Sequence, residues 1–256
     1  MIRLALIMLV AVAFAGCNKP SSYVSRSACS LKSGSKSIGG GVLVGSVDQN
    51  GRTNVAVVTA RHVATYNWCY EIQYYRSGGL IFDGVHLPFA WDRWFTSNVE
   101  NVDIAWLVLK EGEFPEREGL GWLPIDMMTQ TGEPLPSEGS SVIIANAGRC
   151  ESVVYCGENR DVKNNNLPLP NNRYFKELKG FVAGEIDSPT IVSESGSGIF
   201  IAKDGCSNPE LVGIVFASNG DTKRTAFAWI TNVVDDIKRT LNGGSAPRLI
   251  NYPHLW

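Results

Sequence analysis

An all-β protein of two small antiparallel barrels or sandwiches, followed by a single C-terminal helix, is the fold class the sequence predicts. Short apolar runs recur in two blocks on either side of Asp126 to Gly139, a stretch with Gly, Pro, Thr and Glu but no apolar period. Gly is plentiful, at 26 of 256 residues, and charged residues are scarce, at 19% against a usual share of about a quarter. Helical periodicity is convincing only near the end, where Ile230, Val233, Val234, Ile237 and Leu241 fall on one face. Thr231 or Asn232 can cap that helix, and Gly243-Gly244 can end it. With 44% hydrophobic residues the chain can fill one large or two small cores, which disfavours disorder and a long helical bundle.

The elements follow in order. Met1 to Cys17 holds one basic residue, an apolar run from Leu4 to Ala15 and then small residues, which is an export signal too short to be kept as a spanning helix. Its end, Phe14-Ala15-Gly16-Cys17, resembles the lipobox of bacterial lipoproteins. That resemblance implies a lipidated Cys17 and a bilayer partner, with the protein on the periplasmic face of a bacterial membrane or at the cell surface. Ordinary cleavage after Ala13-Phe14-Ala15 would instead leave a soluble periplasmic or secreted protein. Residues 18–36, rich in Ser, Lys and Gly, read as a flexible tether.

A first β block spans 37–125. In it Gly39-Gly-Gly-Val-Leu-Val-Gly-Ser46, the turn Asp48-Gln-Asn-Gly51 and Asn54 to Thr59 read as strand, turn, strand. Further strands are expected over 69–75, 80–82 and 103–109. After the linker 126–139, a second block spans 140–245, with strands over 141–146, 177–182, 198–202, 211–217 and 225–229 and a polar loop over 157–172. The tail, 246–256, is expected to pack on the barrel surface or to bind a partner.

Net charge is −2, from 23 basic and 25 acidic residues, with no basic stripe, so nucleic acid is not expected as a partner. Without Cys17 the chain keeps Cys29, Cys69, Cys150, Cys156 and Cys206, an odd number, so at least one thiol, Cys206 or another, stays unpaired. Cys150 and Cys156 are expected to close a small loop, and Cys29 with Cys69 is a possible second bridge. No CxxC spacing occurs, and the three His residues, His62, His86 and His254, form no HExxH, so neither a metal site nor a cofactor is expected.

Three segments can carry chemistry. In Val57-Val-Thr-Ala-Arg-His62-Val63 a strand runs straight into a His. In Asn101-Val-Asp103-Ile-Ala-Trp-Leu-Val-Leu109 both faces are apolar, so Asp103 meets buried surface and needs a specific partner. Val192-Ser193-Glu194-Ser195-Gly196-Ser197-Gly198-Ile-Phe-Ile201 is a turn of mostly small residues feeding a strand, able to present a Ser while aiming backbone N–H groups at one spot. Each alone has an ordinary structural explanation: a structural His, a capping Asp, a Ser/Gly surface turn.

Together they occur in the order His, Asp, Ser, and the chain resembles the trypsin-like, chymotrypsin-fold serine proteases. Val58-Thr-Ala-Arg-His62 is similar to the family's strand into its His, Asp103-Ile-Ala-Trp-Leu to its Asp segment, and Ser195-Gly-Ser-Gly-Ile-Phe to the Ser-Gly-Ser turn of bacterial glutamyl-endopeptidase-type members. Pro136-Ser-Glu-Gly139-Ser-Ser-Val142 and Leu211-Val-Gly-Ile-Val215 match as well, so the resemblance covers about Gly39 to Leu241. It implies two antiparallel six-stranded-type barrels with a C-terminal helix, and an endopeptidase acting on protein or peptide substrates through an acyl-enzyme. It also implies His62, Asp103 and Ser195 as the triad and the N–H groups of Ser193 and Ser195 as the oxyanion hole. Pro189, Thr190, Val215 and Ser218 would shape the specificity pocket, which holds no carboxylate and suits a small or apolar side chain.

Several positions depart from the family pattern. Ser193 stands where Gly is usual, Glu194 where Asp or Asn is usual, and Val63 replaces the Cys that follows the His in many animal members. Val215 replaces a His of the glutamyl endopeptidases. Ser37-Ile-Gly-Gly is similar to the new N-terminus of animal zymogens but runs directly into a strand, so activation by cleavage is not expected. An intact triad favours the enzyme; Ser193 and Glu194 favour a rival reading, a protease-fold lipoprotein that has lost catalysis and serves as a binding or scaffold module. Other serine hydrolases fit less well: no Gly-x-Ser-x-Gly elbow occurs, and the lone Ser33-Gly-Ser-Lys36 lies in the expected tether.

Overall fold

A computed structural model describes residues 22–66, 71–75, 81–86, 93–96, 102–114, 121–146, 149–159, 183–190, 193–203, 208–219 and 222–245. The expected export signal, the 177–182 strand, most of the polar loop, the C-terminal tail, Cys69 and Cys206 lie outside these residues.

The hairpin at Asp48 shows how local chemistry builds the first block. Asp48 Oδ1 accepts the N–H groups of Asn50 (2.8 Å) and Arg52 (2.9 Å), and Gly51 takes the positive φ of +77° that closes the turn. It joins β2 (Lys36–Val47) to β3 (Thr53–Thr59), paired antiparallel with Val42 opposite Val58. Val42, Leu43 and Val44 of β2 and Val55 to Val58 of β3 are all buried, so both faces of this hairpin are covered.

Around it an eight-stranded sheet forms in the order β5-β4-β1-β2-β3-β7-β6, with β8 pairing β2 in parallel. Its other members are β1 (Ala28–Ser33), β4 (Glu71–Tyr75), β5 (Ile81–His86), β6 (Phe95–Thr96), β7 (Ala105–Val108) and β8 (Leu123–Pro124).

The expectation of a flexible tether over 18–36 is corrected for residues 22–36. Ser22–Ser27 is a short helix, α1, and β1 follows at once, paired with β2 and β4. Val24, Cys29 and Leu31 are fully buried, so the apolar residues scattered among Ser and Lys are what anchor the segment.

The second block is a closed six-stranded barrel, β10-β11-β14-β13-β12-β9. Its strands are β9 (Ser141–Ala145), β10 (Cys150–Asn159), β11 (Ala183–Ile186), β12 (Gly198–Lys203), β13 (Asn208–Asn219) and β14 (Arg224–Trp229). Val142, Ile144, Tyr155, Ile186, Ile199, Val215, Phe227 and Trp229 belong to one apolar cluster. In it the rings of Phe227 and Trp229 meet edge-on at 4.7 Å. A larger cluster unites the first sheet with Phe200, Ile214 and Phe216 of the barrel and with Val233, Ile237 and Leu241 near the C-terminus.

β10 overturns the expected Cys150–Cys156 bridge: both cysteines are free thiols, six positions apart on one strand. An extended strand carries residues that far apart over about 20 Å, well beyond the separation a disulfide can span. Burial pushes the Cys150 thiol up to about 11, and burial also raises that of Cys156, against the nearby Arg224.

The predicted terminal helix is present as a 3₁₀ turn, Ile230–Asn232, and α3 (Val234–Leu241), and the predicted apolar face is the buried one. Its N-cap, however, is Val233 with no side-chain bond, not Thr231 or Asn232. Gly243, at φ +77°, donates to Thr240 O (3.1 Å), and Gly244 to Arg239 O (2.9 Å), ending the helix as expected.

A paired fork braces the chain around β7. Arg93 donates from both guanidinium ends to Glu113, at 2.7 Å each, and Lys110 N–H adds 2.7 Å to the same carboxylate. Burial raises the Glu113 carboxyl, and the Arg93 hydrogen bonds and neighbouring charges outweigh it, so the group titrates below its ordinary 4.5. A depressed carboxylate stabilises the fold above its unfolded pKa, and that contribution is lost as pH falls through the folded value. Glu113→Gln is therefore expected to lower stability by about 1–2 kcal/mol at pH 7 and by less at about pH 3, below the ordinary 4.5, where the contribution of the depressed carboxylate has begun to be lost. Urea midpoints at the two pH values check this; an equal gap at both would refute it.

Candidate active site

Asp103 is fully buried just ahead of β7, between Val102 and Ile104, and the partner its burial demands is His62. β3 ends at Thr59, and after Ala60 a short helix, α2 (Arg61–Tyr66), places His62 in its first turn. Helix starts leave N–H groups without intrahelical acceptors. Asp103 Oδ1 accepts the His62 N–H at 3.0 Å, Asp103 O accepts that of Arg61 at 3.2 Å, and Asp103 Oδ2 lies 2.7 Å from His62 Nδ1. One carboxylate thus holds both the backbone and the ring of His62. Donation from Nδ1–H leaves Nε2 as the basic nitrogen.

The Ser turn comes from the other side of a seam along β2. Gly40 N–H donates to Ser195 O at 2.8 Å, and Thr59 Oγ1 donates to Gly40 O at 2.7 Å. A Cβ on Gly39 would lie 2.6 Å from Val63 Cγ1 and 2.8 Å from Ser195 O, so the residue after His62 and the Ser195 carbonyl crowd one point. Gly196, at φ +94°, is pressed so closely that a Cβ would meet Gly40 O at 2.1 Å. The structure therefore brings the His62–Asp103 pair and the Ser195 turn to one seam. Ser195 Oγ itself makes no hydrogen bond among the described residues.

Within the turn, Gly196 N–H donates to Val215 O (2.7 Å) and Ser197 N–H to Glu194 O (3.0 Å). The N–H groups of Ser193 and Ser195 take no partner among the described residues, as two donors held for an incoming anion would. Ser193 adopts φ +80°, a left-handed conformation that ordinarily selects Gly.

Glu194, 7% exposed, points away from this corner into a polar cluster that sequence reasoning missed. Asn146 Nδ2 donates to its Oε1 (3.0 Å) and Arg149 Nη1 to its Oε2 (3.2 Å). Arg149 also donates to Pro189 O (3.1 Å), Ser188 Oγ and Glu151 Oε1, tying the Ser turn to the segment beyond β11. The available signal was Glu194 itself, a carboxylate in a turn of small residues that needs a cation once buried.

Around the expected pocket, Thr225 Oγ1 donates to Ser188 O (2.6 Å) and lies 3.2 Å from Thr190 Oγ1. Ser218 pairs opposite Thr225, so three hydroxyl residues gather here. Pro189 is exposed, and Val215 is 1% exposed within the barrel's apolar cluster.

No protein-family model and no curated protein matches the chain. Solved structures do match. Neuropsin, a serine protease expressed in the limbic system of mouse brain, aligns with a TM-score of 0.54 at 16% identity, over 88% of this chain and 98% of its own. A mutant of human heparin binding protein aligns at 0.56 and 12% identity, over 89% and 97%. Catalytically inactive tobacco etch virus protease complexed with substrate aligns at 0.50 and 14% identity, over 91% and 92%. At these identities the likeness is one of fold: the chain has the chymotrypsin-like fold.

Proposed function

We propose that the protein is an exported serine endopeptidase, tethered through a lipid on Cys17, that cleaves protein or peptide substrates by way of an acyl-enzyme. The observation that carries this reading is the buried Asp103 carboxylate, bonded at 2.7 Å to Nδ1 of a His whose side chain is 15% exposed. Ser195 Oγ attacks the scissile carbonyl, forming the C–O bond as His62 Nε2 takes the hydroxyl proton. Asp103 stabilises the imidazolium, and the N–H groups of Ser193 and Ser195 receive the oxyanion. His62 then returns the proton to the leaving amine as the C–N bond breaks, and water hydrolyses the ester by the same steps.

A second reading, a protease-fold lipoprotein that binds without cleaving, draws on two observations: Ser195 Oγ is not bonded to His62, and a side chain occupies the left-handed position at 193. Catalytic hydrogen bonds often tighten only with substrate bound, which favours the enzyme. Exposure to a fluorophosphonate probe is expected to label Ser195, located by peptide mass spectrometry, and to fail with Ser195→Ala and His62→Ala. A folded wild type that stays unlabelled favours the binding module.

A further inference from the structure

Among the described residues only Ser193 and Lys223 combine a side chain with a positive φ, +80° and +54°. Lys223 lies in the turn between β13 and β14, an ordinary setting for that geometry. Ser193 lies in no hairpin; it precedes the buried Glu194 and supplies one of the corner's two N–H groups that take no partner among the described residues. A Cβ disfavours left-handed backbone, so a local contact has to hold it. Ser193 Oγ donates to Ser37 O at 3.0 Å, across the seam onto the first sheet. Ser37 is itself fixed: it pairs with Lys32 where the β1–β2 register skips Ile38, and its Oγ lies 3.0 Å from Ser30 Oγ.

We propose that Ser193 is a positioning residue whose hydroxyl, latched to the Ser37 carbonyl, holds its own peptide in the left-handed conformation and so keeps its N–H aimed with that of Ser195. The β1–β2 hairpin thereby shapes the anion-binding corner of the opposite barrel. Without the latch, a residue with a Cβ relaxes to negative φ and the N–H swings away. Gly, having no Cβ, needs no latch. The inference rests on the acyl-transfer reading for its effect on rate and on geometry alone for its effect on stability.

The test compares Ser193→Ala and Ser193→Gly with the wild type in fluorophosphonate labelling, separating probe affinity from the maximal rate of modification, alongside thermal melting. Loss of the latch is expected to lower the maximal rate of Ser193→Ala by about 10- to 100-fold at unchanged affinity, with Ser193→Gly at least about tenfold faster than Ser193→Ala. Melting should be lowest for Ser193→Ala, by about 2–4 °C. A merely structural hydroxyl would lower melting without changing the rate. Labelling of Ser193→Ala at the wild-type rate, or of Ser193→Gly no faster than Ser193→Ala, overturns the proposal. If the wild type does not label, the acyl-transfer reading fails and melting decides: Ser193→Ala below both others sustains the latch, and Ser193→Ala equal to the wild type overturns it.

Discussion

Asp103→Asn is expected to slow fluorophosphonate modification of Ser195 by about 10,000-fold while leaving the sheet and the barrel folded, the size of effect this substitution has in a Ser-His-Asp triad. Asp103 makes two bonds to His62, and they respond differently. An Asn can turn its oxygen to the His62 backbone N–H, now held at 3.0 Å, which preserves the start of α2. Its amide then faces Nδ1, where the carboxylate oxygen now sits at 2.7 Å, and an amide donates. The ring must answer with a bare Nδ1 and carry its proton on Nε2, where it can no longer accept one from Ser195. Fluorophosphonate labelling rates with a melting control read this directly. A loss below tenfold would mean that the tautomer is not set by Asp103.

Arg149→Met is expected to destabilise the protein by about 3 kcal/mol, because it strips a cation from a buried carboxylate. The side chains of Arg149 and Glu194 are 19% and 9% exposed, and the guanidinium also holds Ser188 and Pro189. Combining it with Glu194→Gln, which removes the stranded charge, should recover more than half of the loss. Urea unfolding of both single variants and the double variant closes the cycle. A cost under about 1 kcal/mol for Arg149→Met would show that solvent replaces the guanidinium and that the turn is braced elsewhere. Glu194 lies between the N–H groups of Ser193 and Ser195, so labelling should fall with stability in Arg149→Met.

The elements legible in the sequence were those whose signal is local. The Asp48–Gly51 turn announces its hairpin through one side chain and one Gly. α3 announces itself through a 3.6-residue apolar period, and the His, Asp and Ser segments each carry a short motif. What escaped depends on contacts between distant residues. β1 is read as tether because Ser and Lys dilute its apolar residues, and only pairing with β2 and β4 buries Leu31. β10 is interrupted by a register shift between Tyr155 and Gly157 and carries two cysteines, Cys150 and Cys156, whose spacing also suits a small closed loop. Asn146 and Arg149 sit 48 and 45 positions from Glu194, and no periodicity links them. The Ser193 latch spans 156 positions.

The seam along β2 makes the site a property of assembly rather than of the sheet or the barrel alone. His62 and Asp103 lie on one bank and Ser195 on the other, and Gly39 and Gly40 are bare enough for the banks to close to backbone contact. A rift of an ångström or two there would leave both hydrogen-bonded ladders intact and still uncouple base from nucleophile. Chemistry at this site would therefore register the mating of the two halves, fading under mild stress while spectroscopic measures of β structure stayed constant.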